Sequence, residues 1–111
     1  MEQSILTSIK KLLGPTKEDT NFDLDIMMAI NTSFLALTQI GIGPVAGFQI
    51  FDAGSEWDEF IGSRQDLESV KSYVYLKTRL IFDPPQSGFT IEAIKDQIKE
   101  IEWRLSVQAG G

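Results

Sequence analysis

Near the C-terminus, Ile91, Ile94, Ile98, Ile101 and Leu105 are spaced 3, 4, 3 and 4. Only a helix with about 3.6 residues per turn gathers such a series onto one side. The seam spans two heptads, too short for an independent coiled coil. Its partner is therefore sought in the rest of the chain. The spacing predicts a helix that starts between Ser87 and Thr90 and runs to about Val107. Lys95, Asp96, Lys99, Glu100 and Glu102 form its solvated side, and Ala109-Gly110-Gly111 is expected to fray.

The same period recurs upstream. Ile5, Ile9, Leu12 and Leu13 predict a helix over Ser4 to Leu13, stopped by Gly14-Pro15 and favoured at its end by Lys10 and Lys11. A second helix is expected from Asp23 to about Ile40. Asp23 and Asp25 serve as cap and first-turn anion, and the apolar stripe is Met27, Ile30, Phe34 and Leu37, with Ile26 beside it. A third long helix reads from Gln65 to Phe82, with Leu67, Val70, Val74 and Ile81 on one face and Tyr73 and Leu80 flanking it. Asp83-Pro84-Pro85 ends it, because a proline pushes its predecessor out of helical geometry. Ser55 to Gly62 reads as a short helix, opened by a capping-box pattern of Ser55 and Asp58.

Gly41 to Gly54 breaks the pattern. GIGPVAGFQIFDAG holds four glycines and a proline, yet also Ile42, Val45, Phe48, Ile50 and Phe51. Such a segment is no plain solvated linker: it either folds under the core or meets a partner. A short strand over Phe48 to Phe51 fits the composition, and mobility of Gly41 to Asp52 in a free protomer fits the glycine density. With no internal repeat or boundary, the expectation is one all-α domain over residues 1–111: a small bundle of four principal helices, a short helix and an irregular Gly-rich middle segment.

Composition narrows the chemistry. The 111 residues include no Cys and no His. Disulfides, zinc sites built on those ligands, and imidazole-based catalysis or pH switching are excluded. A net charge of −6 argues against a strong phosphate-backbone binder. No run approaches the roughly 20 apolar residues of a membrane span. The N-terminus lacks a signal-peptide pattern, and a soluble protein of a reducing compartment is expected.

The local motifs mostly have plain readings. Gly41-x-Gly43-x-x-x-Gly47 follows a helix instead of a strand and lacks the spacing of a nucleotide loop. Asp23 with Asp25, and Asp52 with Glu56, Asp58 and Glu59, are read as helix-start anions and surface charge instead of metal ligands. Lys71, Lys77 and Arg79 do not form one stripe, because Lys71 and Lys77 lie roughly 240° apart around a helix. Trp57 and Trp103 each fit either a core position or an interface. The expectation is no catalytic residue, no cofactor and no metal.

Four segments carry a family resemblance. They are Ile9-Lys-Lys-Leu-Leu-Gly14, the run from Phe22 to Pro44, the run from Leu67 to Pro85, and Ile101 to Val107. The turn Thr38 to Pro44 and the helix end Tyr75 to Pro85 are the most specific pieces. Together they resemble the head–tail connector proteins, or head-completion adaptors, of tailed bacteriophages and prophages.

The resemblance implies a structural virion protein that assembles into a ring of about twelve copies under the capsid portal. The ring would extend the DNA channel and offer an attachment surface to the tail or a stopper protein. It also implies a place in the virion neck, after assembly in the host cytoplasm. The protein would be compatible with a monomer in isolation, and DNA would pass without specific binding. Interface candidates are Ile42, Val45, Phe48, Phe51, Trp57, Trp103 and Val107. The competing reading is a small acidic regulatory or antitoxin-like protein that binds a protein partner.

Overall fold

The computed structural model describes residues 4–14, 20–44, 46–61 and 67–110. Five α-helices follow one another: α1 (Ile5–Leu13), α2 (Asp23–Gln39), α3 (Trp57–Ile61), α4 (Leu67–Phe82) and α5 (Gly88–Gly110). A 3₁₀ turn, Thr20–Phe22, leads into α2. The all-α expectation holds, with no strand among the described residues. One isolated antiparallel bridge joins Ser4 to Glu56.

The arrangement centres on α4. It makes the most extensive helix pairing with α2, a substantial one with α5, and touches α1, which also packs on α2. Among the described residues the only substantial helix partner of α5 is α4. The core is built by Ile5 and Ile9 of α1, Ile26, Ile30, Phe34 and Leu37 of α2, and Val70, Tyr73 and Val74 of α4. Ile94, Ile98 and Leu105 close it from α5, so the isoleucine seam meets α4. The molecule measures 40 × 35 × 24 Å along its principal axes.

Local chemistry explains the helix ends. The Ser4 hydroxyl accepts from the Thr7 N–H and caps α1. Gly14, at φ +121°, ends it. At the end of α2 the Gly41 N–H bonds to the Thr38 carbonyl and the Ile42 N–H to that of Leu37. With Gly41 at φ +89°, this is a Schellman motif, whose apolar residue after the glycine folds back on the helix. That is why Ile42 is buried.

Several expectations are corrected. Asp23 does not cap α2: the cap position falls on Phe22, which makes no side-chain capping bond, and Asp23 instead pairs with Lys10 at 2.6 Å. Lys10 is correspondingly buried instead of lying free at the end of α1. The short helix starts two residues later than expected. Its reciprocal capping contact runs from the Glu56 N–H to the Glu59 carboxylate at 2.8 Å, so Glu59 takes the role assigned to Asp58. No strand forms over Phe48 to Phe51, because the Ile50 backbone is satisfied by a side chain. Its N–H donates to Asn31 Oδ1 at 2.8 Å, and its carbonyl accepts from Asn31 Nδ2 at 3.0 Å.

That clamp and the burial of Ile42 and Ile50 tie the Gly-rich segment to α2. On α4, Thr78 takes an inward position and Ile81, in the last turn, is exposed. The Thr78 hydroxyl is buried without a partner. Leu12 is exposed in the last turn of α1. Helix α5 continues to Gly110, past the expected fraying point. Gln65 and Gly62 lie outside the described residues.

Candidate interaction surface

Helix α2 is apolar on both sides. Its inner side is in the core, but Leu24, Met28 and Leu35, spaced 4 and 7, are exposed on the outer side. A helix apolar all round is normally covered all round. Here only one side is covered.

Two open clefts run along this outer side. One, about 450 Å³, is lined by Asp25, Met28, Ala29, Thr32, Ile81 and Phe82. The other, about 600 Å³, lies between α2 and the Gly-rich segment and includes Leu35, Phe48 and Phe51. They share Met28 and Thr32, so they form one groove. Ile81 also lines a third cleft of about 330 Å³ between α4 and α5, with Leu80 and Ile98 as floor and Lys77, Lys95 and Lys99 at its edge. The far side of α5 presents Phe89, Trp103 and Val107 to solvent.

The seven interface candidates separate into distinct environments. Ile42 and Trp57 are each only 1% exposed and belong to the core. Trp57 is held inside by its indole N–H, which donates to Ser8 Oγ at 2.8 Å, and by an edge contact with Phe34. Lys71 lies 5.8 Å over its ring. Phe48 is half-buried, packed edge-on to Phe34 and Phe60. Phe51, Trp103 and Val107 are exposed. Val45 lies outside the described residues.

Leu24, Met28, Leu35 and Phe89 are exposed apolar residues that the helical periodicity did not single out, and Ile81, expected on the inner face of α4, is exposed as well. A signal for Met28 and Leu35 was available: no charged residue occurs from Ile26 to Phe51. A solvated helix face does not look like that.

Several polar groups hold the helices together. Tyr73 donates to Glu102 at 2.6 Å and Lys77 stands 4.0 Å from the same carboxylate, so Glu102 ties α5 to α4. Burial, the bond to Glu102 and the charge of that carboxylate, in that order, push the Tyr73 phenol far above its ordinary value. Asp52 accepts from the Gly54 N–H. Among the described residues no group of three or more acidic side chains is placed to hold a metal ion, and no helix is long and apolar enough to cross a membrane.

A helical fold with open apolar grooves and its polar groups in capping and packing defines a protein whose described surface is suited to contact with other macromolecules. The family described as phage connector protein matches residues 5–111. The chain belongs to that family, which is structural and not enzymatic. Comparison with curated proteins and with solved structures returned no match.

Proposed function

We propose that the protein is a ring-forming adaptor of the phage neck. It docks under the capsid portal, extends the DNA channel and gives the tail or a stopper protein a surface to attach to. It needs no cofactor and runs no reaction.

The observation that carries this reading is the uncovered outer side of α2, in a chain matched to a connector family over residues 5–111. A closed ring requires two different surfaces on each copy. The α2 groove is one apolar surface. The outer side of α5, with Trp103 and Val107, is a second, carried on a helix that has no substantial contact with α2. A net charge of −6 suits a conduit, since carboxylates repel passing phosphates. Among the earlier candidates, Phe51, Trp103 and Val107 are proposed as surface contacts. Ile42, Phe48 and Trp57 act from within, by holding the groove's wall in place.

Native mass spectrometry over a concentration series tests the proposal, with the portal protein present and absent and the largest species imaged. The expected result is a closed ring of about twelve copies, alone or on the portal. No ring in either condition, with a tight 1:1 or dimeric complex instead, overturns it.

A further inference from the structure

The Gly-rich segment ends in an aromatic knob. Phe51 is 77% exposed, yet its backbone is fixed on both sides: Asn31 clamps Ile50, and Asp52 closes a turn onto Gly54. A side chain presented this way loses little further freedom on docking. Next to the knob in sequence stands the exposed carboxylate of Asp52. Among the described residues Asp52, Glu56, Asp58 and Glu59 are exposed without an ion-pair partner, and no Lys or Arg occurs in the sequence from Ile26 to Ser63, the one cation recorded there being Lys71 of α4 over the Trp57 ring.

The cleft between α4 and α5 has the opposite character. Its floor of Leu80, Ile81 and Ile98 is apolar, and its volume of about 330 Å³ can admit a phenyl ring. Lys77 and Glu102 also line it, 4.0 Å from each other, while Lys95 and Lys99 have no ion-pair partner among the described residues and leave its lining net positive. Within one copy the two features do not meet: Phe51 lines the groove over α2, not this cleft.

We propose that Phe51 of one copy inserts into the Leu80–Ile81–Ile98 cleft of the next, with Asp52 and its acidic neighbours against Lys95 and Lys99. The occupant is a second copy of this chain because the chain itself carries both halves of the match, in shape and in charge sign. The contact is heterologous, so each copy keeps one free knob and one free cleft and the series extends until it closes. This inference rests on the adaptor reading and names the contact that would build its ring.

The absence of cysteine makes the test clean. The double variant Ala53→Cys/Asp96→Cys, which keeps Asp52, its turn and both lysines, is oxidised at high concentration and run without reductant. The expected result is a ladder of dimers, trimers and higher species. Adding Phe51→Ala to that background should abolish the ladder while the far-ultraviolet circular dichroism is unchanged. In the otherwise wild-type chain, Lys95→Glu/Lys99→Glu should lower the assembled fraction about tenfold.

A dimer with no higher species means a two-fold contact and overturns the heterologous one. Absence of any cross-link overturns the contact whether or not the wild type forms rings, and the wild-type ring, measured separately, decides the adaptor reading. Lysine-dependent retention of duplex DNA without a cross-link assigns the cleft's edge to phosphate and also overturns it.

Discussion

Tyr73 shows how one side chain joins two helices and records its environment. It is fully buried on α4 and donates to Glu102 of α5. Its acidity is suppressed mainly by burial, then by that bond and the neighbouring negative charge. In the unfolded chain the phenol loses its proton near pH 10, while in the fold it keeps it. Above that pH the folded state binds more protons than the unfolded one, so stability falls as pH rises. Below it the contribution is fully present. Urea unfolding followed from about pH 8 to 11 should show this decline. In Tyr73→Phe the decline should be shallower, with stability lower by about 1 kcal/mol at the neutral end. A wild-type and variant pair with parallel profiles would remove Tyr73 as the cause.

Among the elements, the Gly-rich segment is the most instructive, because its glycines do different work. Gly43 and Gly47 both take positive φ, near +90° and +96°. At Gly47 an added Cβ meets nothing within 4 Å, whereas at Gly43 it would sit 2.3 Å from the ring of Phe60. That ring is itself packed against Phe34 and Phe48. Gly47→Ala should cost only the backbone penalty of about 1–2 kcal/mol. Gly43→Ala should cost that plus a core displacement, about 3–4 kcal/mol in all. Chemical denaturation of the two variants side by side checks the difference, and equal losses would contradict it.

Helix positions were readable from spacing because each helix buries a stripe of its own. What spacing could not reveal was set by contacts across the chain. The carboxamide of Asn31, which replaces a strand partner for Ile50, has no signature nineteen residues away. Lys10 and Asp23 likewise find each other only after α1 and α2 pack. Ile81 satisfies the inward period of α4 but lies in its last turn, where it lines clefts instead of the core. The apolar outer side of α2 was legible as an absence of charge, a signal that periodicity alone passes over.

At the scale of the whole molecule, the helices are unequally held. α1, α2 and α4 pack on one another, while α5 leans on α4 through Ile94, Ile98 and Leu105 and the Glu102 tie. Amide exchange in the free protomer should therefore be fastest in α5 among the long helices and slowest in the centres of α2 and α4. Ile98→Ala, expected to cost about 2–4 kcal/mol, should raise exchange in α5 most. Uniform protection across α2, α4 and α5 would show that the chain opens only as one unit.

That single line of attachment gives the protomer a mechanical character. A 23-residue helix is about 35 Å long, and this one is braced along one edge like a boom on a mast. A few degrees of roll about its isoleucine row leave the block of α1, α2 and α4 undisturbed but swing Trp103 and Val107 sideways. In the proposed ring, small errors in curvature would collect in these booms, and the stiff blocks would keep their shape.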